Sequence, residues 1–82
     1  MSLSHEIQSP LPGIFYRSSS PDAPPYKIEG DRVEVGDVIG LVEVMKQFNE
    51  IAADAAGRIE RFFAPNGEPV DPGQVLAVLI SD

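Results

Sequence analysis

One lysine in this chain stands where an amine could be acylated: Lys46, in the string Glu43-Val44-Met45-Lys46-Gln47-Phe48-Asn49-Glu50-Ile51. β-favouring runs flank it, so it falls at a strand junction, where an amine can project into solvent. A lysine in water is almost wholly protonated at neutral pH. No second cation or apolar pocket is evident in the sequence to activate this one, so acylation needs an outside ligase that removes the proton and supplies the activated acyl group. The bland alternative is a solvent-facing lysine at a strand end.

Other chemistries find less support. The chain has no cysteine, which excludes a disulfide framework, a thiolate zinc site and a cysteine nucleophile. Its single histidine, His5, has no carboxylate partner pattern nearby and reads as a surface residue, not a general base. Ser18, Ser19 and Ser20 have no local histidine for triad chemistry. The glycine-containing turns lack the strand, glycine-rich loop and helix order that phosphate binding needs.

The elements that would position Lys46 are short and apolar. Gly13 to Arg17, Val38 to Val44, Phe48 to Ala53, Arg58 to Phe63 and Val75 to Ile80 have strand length and are bounded by turn residues. They predict an all-β sandwich or barrel. Val42 to Ala56 could be taken for a helix, but its β-branched start and the stop at Gly57 favour a hairpin. Phe48 is assigned to the core.

An internal repeat supports two similar halves. Gly30, Val33, Gly36 and Val38 recur as Gly67, Val70, Gly73 and Val75, an offset of 37 (67 − 30), and Leu41 and Val78 continue the series. Glycines at matched places predict backbone positions with φ > 0. Lys46 would map to position 83, past the last residue, so its connection mirrors the gap between the chain ends and should be exposed. One segment, Ser18 to Tyr26, lies outside the repeat and is rich in Ser and Pro. It is long for a loop in so small a domain.

The 82 residues allow one domain, 1–82, with a formal net charge of −7. That acidity suits a solvated surface or docking onto basic partners; without clustered Lys and Arg, nucleic acid is not expected. No apolar run reaches membrane-spanning length and no signal-peptide pattern is present, so no membrane partner is expected and the expected location is cytoplasmic. Met1-Ser2-Leu3 has the look of an expression remnant and carries none of the argument.

The Met45-Lys46 string resembles the attachment motif of biotin carboxyl carrier domains, and the resemblance extends over nearly the whole chain. Ser9 to Arg17 looks like that family's opening strands. Glu29-Gly30-Asp31, Val35-Gly36-Asp37, Ala53 to Gly57 and Asn66 to Val70 look like its turns. Ser18 to Tyr26 resembles the thumb of the bacterial acetyl-CoA carboxylase carrier. The resemblance implies a flattened β-barrel of two four-stranded antiparallel sheets with quasi-two-fold symmetry. It further implies biotin joined covalently to Lys46, with Val44, Met45 and Gln47 forming the attachment turn and Met45 read by the ligase.

On the same resemblance the thumb residues Ser18, Ser19, Ser20, Pro21 and Asp22 contact the ring. The implied partners are a biotin protein ligase, a biotin carboxylase and a carboxyltransferase, with acetyl-CoA as acceptor; the chain itself is a carrier without catalysis. Val44 stands where Ala is usual in bacterial members, and Gln47 replaces the usual Met or Leu. The upstream region and Pro/Ala-rich linker of the full-length bacterial subunit have no counterpart here, which leaves a stand-alone carrier or an excised domain. A carrier of a different carboxylase, a lipoyl domain and an unmodified binding module remain as alternatives.

Overall fold

A computed structural model describes residues 3–81; Met1, Ser2 and Asp82 lie outside the described residues, and with them most of the segment taken for an expression remnant. The turn-bounded runs form eight strands: β1 (Ser4–Gln8), β2 (Gly13–Tyr16), β3 (Arg32–Val33), β4 (Val38–Val44), β5 (Gln47–Ala52), β6 (Gly57–Phe62), β7 (Glu68–Val70) and β8 (Val75–Ile80). They build two four-stranded antiparallel sheets, ordered β1-β8-β6-β3 and β5-β4-β2-β7. The expected all-β, two-sheet architecture is what the chain adopts.

The central strands β4 and β8 are apolar on both faces, which is why they read as continuous hydrophobic runs. Their inner residues join Ile7, Phe15, Val33, Ile51, Ile59 and Val70 in one core between the sheets. Burying a side chain of that size contributes about 1.5–3 kcal/mol, so a few such residues decide the stability of a domain this small. Gly40 lets β4 cross the core closely: a Cβ there would stand 2.6 Å from the Phe15 ring. The β4–β5 ladder is bulged at the same place, between Val38 and Gly40.

The two halves repeat as predicted. Advancing each strand number by four, cyclically, converts one sheet order into the other. Gly30 and Gly67 have φ of 92° and 82°, and Gly36 and Gly73 have 96° and 84°. Their N–H groups donate to matched carbonyls: Gly30 to Ile59 and Gly67 to Phe15, both at 2.7 Å, and Gly36 to Ala53 and Gly73 to Ser9 at 2.8 and 2.7 Å. Leu41 and Val78 are both buried on the outer sides of their sheets, outside the core cluster.

The match also locates an insertion. Phe15 and Ile59 are 44 positions apart while Gly30 and Gly67 are 37 apart, so the first half carries seven extra residues (44 − 37) between β2 and β3. They fall in the Ser18–Tyr26 region. Three strands lie outside the five runs picked from the sequence. β1 is an edge strand with only Ile7 buried, so it shows no alternation, and β3 and β7 are too short to show any.

Candidate functional site

Val44 pairs with Gln47, leaving Met45 and Lys46 as a two-residue hairpin loop between β4 and β5. Both loop residues have positive φ, 51° and 67°. That is the type I′ signature, which matches strand twist but usually takes Asn-Gly. A residue with a Cβ pays roughly 1–2 kcal/mol in the left-handed region, so this tip holds strain at two successive positions. Met45 is 92% exposed and Lys46 is exposed beside it; Gln47 is also exposed, and Val44 is half-buried against the core. Below the tip, the Asn49 amide donates to the carbonyls of Val42 and Gln47 at 3.2 and 3.4 Å, bracing both strands. A primary amine is thus held out in solvent on a braced hairpin tip.

The pairing places the tip within the repeat. Glu43 faces Phe48 in the β4–β5 hairpin as Ile80 faces Ser4 in the β8–β1 pair. One residue further, Ser81 donates its N–H to the Leu3 carbonyl at 2.9 Å. The Met45-Lys46 turn therefore has the two outer strand ends as its symmetry counterpart, as the repeat implied.

Beside the tip, on the outer face of the β5-β4-β2-β7 sheet, Phe48 is 60% exposed and its ring lies 6.3 Å from that of Tyr16. This corrects its assignment to the core. Ile51 points inward, and a strand's period of two then turns Phe48 and Glu50 outward. Partial burial, and next the Glu43 carboxylate that accepts its hydrogen bond, raise the Tyr16 phenol above its ordinary pKa.

The inserted loop arches over these rings. It closes through a Ser18–Pro25 bridge and a Tyr26 N–H bond to the Arg17 carbonyl at 2.9 Å, with a turn at its tip from Ala23 N–H to the Ser20 carbonyl. Under it lies an apolar-walled cavity of about 460 Å³ lined by Tyr16, Ser18, Ser19, Ser20, Pro21, Phe48 and Asn66. Four of the five loop residues expected at a site line it; Asp22 does not, being turned out at the exposed tip. Tyr16, Phe48 and Asn66 had not been assigned to it. The repeat offered a signal for Asn66, since it matches Glu29 across the two halves.

Arg17 roots the loop. Its N–H donates to Asn66 Oδ1 at 2.8 Å, its guanidinium lies 4.0 Å over the Phe62 ring, and its Nη2 donates to Glu29 Oε1 at 3.4 Å. The other Glu29 oxygen accepts the Phe62 N–H at 3.3 Å. Backbone N–H bonds, from its own residue first and then from Phe62, hold Glu29 below the usual carboxylate range, and Arg17 adds to them against a rise from burial.

His5 is at the surface, as expected, but it does have a carboxylate partner: its Nε2 lies 2.7 Å from Asp54 Oδ1. The two are 49 residues apart, a separation that no local pattern could reveal. Among the described residues no cluster of three or more His, Cys, Asp or Glu could hold a metal, and no helix is long and apolar enough to cross a membrane.

Fold and tip together define a class: a small two-sheet β domain that presents a lysine on a strained hairpin. The family described as "Biotin-requiring enzyme", the biotin/lipoyl family, matches residues 5–79, and the chain belongs to it. It is 43% identical over 75 residues to the biotin carboxyl carrier protein of acetyl-CoA carboxylase of Cyanidium caldarium, covering 92% of this chain and 49% of that protein. To the same-named protein of Chlamydia trachomatis it is 46% identical over 70 residues, covering 85% and 43%. The chain thus spans less than half the length of either relative. Among solved structures it is similar to the urea carboxylase of Kluyveromyces lactis, with TM-score 0.76, 26% identity and coverage of 94% of this chain and 6% of that one.

Proposed function

We propose that the chain is the biotin carrier domain of a biotin-dependent carboxylase, with biotin in amide linkage to Lys46 Nζ. One observation supports it above the rest: in a chain of this family, Lys46 is exposed at φ 67° on the two-residue tip of the β4–β5 hairpin. Val44, Met45 and Gln47 form the turn around it, and the exposed Met45 side chain offers the ligase a surface to read.

The rigid tip fixes the anchor while the four-carbon stem of Lys46 supplies a hinge. Amide formation removes the lysine's positive charge, and tethering replaces a bimolecular encounter by an effective concentration. Biotin supplies a ureido nitrogen that accepts a carboxyl group at one active site and yields it at another. The cavity fits its ring: the walls are mostly carbon, Ser18, Ser19 and Ser20 add hydroxyls, and the exposed Phe48 face lacks a cover. Phe48 is the second residue of β5, two positions after Lys46 in the chain, and it lines the cavity. Ser18 to Pro21 would hold the ring from above, with Asp22 outside the contact.

The partners on this reading are a biotin protein ligase, a biotin carboxylase and a carboxyltransferase, met in the cytoplasm. Acetyl-CoA is the acceptor that the relatives' names support. Intact-mass measurement after co-expression with a biotin ligase should show one biotinyl group. Streptavidin should retain the wild type and not Lys46→Ala. A lipoyl adduct, or retention of the variant, would refute the assignment.

A further inference from the structure

The cavity under the inserted loop is neutral, but its surroundings are not. All seven lining residues, Tyr16, Ser18, Ser19, Ser20, Pro21, Phe48 and Asn66, are uncharged. Glu43 stands directly opposite Phe48 in the β4–β5 register. Glu50 lines the adjoining groove together with Phe48 and Ser19. The cation nearest in sequence, Arg17, has its guanidinium over Phe62 and paired with Glu29. Acylation of Lys46 removes another, taking the formal net charge from −7 to −8.

We propose that this cavity is a charge-gated berth, holding the ring of the Lys46-linked group while it is neutral and releasing it once it carries a carboxylate. The inference rests on the carrier reading above and deepens it. A neutral ring gains by covering the exposed Phe48 face and the apolar loop surface. Carboxylation replaces the ureido N–H by N–CO2⁻; bicarbonate supplies the carbon, ATP is cleaved to ADP and phosphate, and a proton is released. To re-enter, that carboxylate must shed water into a mostly apolar cleft with Glu43 and Glu50 beside it. With partly screened like charges several ångströms away, occupancy should fall about tenfold. An empty arm is then parked, and a loaded arm is free to travel.

The test compares amide NMR shifts of Ser18, Ser19, Ser20, Phe48 and Asn66 in three samples of the full chain. These are unmodified protein, biotinylated protein, and biotinylated protein carboxylated with biotin carboxylase, ATP and bicarbonate under alkaline conditions. Biotinylation should move these shifts, and carboxylation should return them toward the unmodified values, with the bound fraction about tenfold lower. Ser20→Lys, which puts a cation at the rim, should keep the carboxylated ring in place. Equal displacement in both biotinylated states would overturn the gate alone. No displacement on biotinylation would remove the berth, and the gate with it.

Discussion

Replacing Met45 by Asn and Lys46 by Gly would give the β4–β5 tip the dipeptide that its backbone favours. The present residues sit at φ 51° and 67°, each with a Cβ in the left-handed region. Relief there is worth roughly 1–2 kcal/mol per residue for a full steric penalty. Asn retains a Cβ and tolerates the region only better, while Gly returns part of the gain as unfolded-state entropy. A net stabilisation of about 1–2 kcal/mol is expected for the pair. Little burial is lost, because Met45 is 92% exposed. In a domain of this size, 1 kcal/mol corresponds to about 4–8 °C in Tm. Urea titration and thermal melts followed by circular dichroism would measure the change, with Met45→Asn alone giving a smaller step. The more stable double variant should accept no biotin. Unchanged or lower stability in both variants would refute the claim that the tip is strained and carries function at the expense of fold.

Gly40→Ala drives a methyl group to 2.6 Å from the Phe15 ring and should destabilise by about 2–3 kcal/mol, read as a lower urea midpoint. Arg17→Ala removes the stack on Phe62 and the hydrogen bond to Glu29, so limited proteolysis should cut faster between Ser18 and Pro25, with a stability loss of about 1 kcal/mol. Glu29 has its folded pKa lowered, so its stabilising contribution is complete above the ordinary carboxylate range and disappears as pH falls through its lower folded value. Acid unfolding of Glu29→Gln should lack that component. Tyr16 has its folded pKa raised, so stability should fall as alkaline pH rises through it; in a Tyr26→Phe background the phenolate absorbance should appear above the usual tyrosine range.

The sequence carried the repeat, because Gly30, Gly36, Gly67 and Gly73 mark turns that need φ > 0 and other residues pay to enter that region. From that repeat alone the exposure of Lys46 could be argued. β1 escaped notice because an edge strand with only Ile7 turned inward carries no apolar period. Phe48 was misassigned because an aromatic residue beside a core strand suggests burial, whereas the phase set by Ile51 turns it outward. The His5–Asp54 contact and the packing of Asn66 against the inserted loop join residues far apart in sequence, and only the folded register brings them together. The loop itself was legible as an insertion, but the rings beneath it were not.

The hairpin tip and the paired strand ends at Leu3 and Ser81 are images of one another across the quasi-two-fold axis. Any flanking polypeptide joined to β1 or β8 must therefore depart from a different corner than a group attached to Lys46 would. A tether and an arm so placed would each sweep their own space without tangling, leaving the leash slack while the Lys46 corner is gripped.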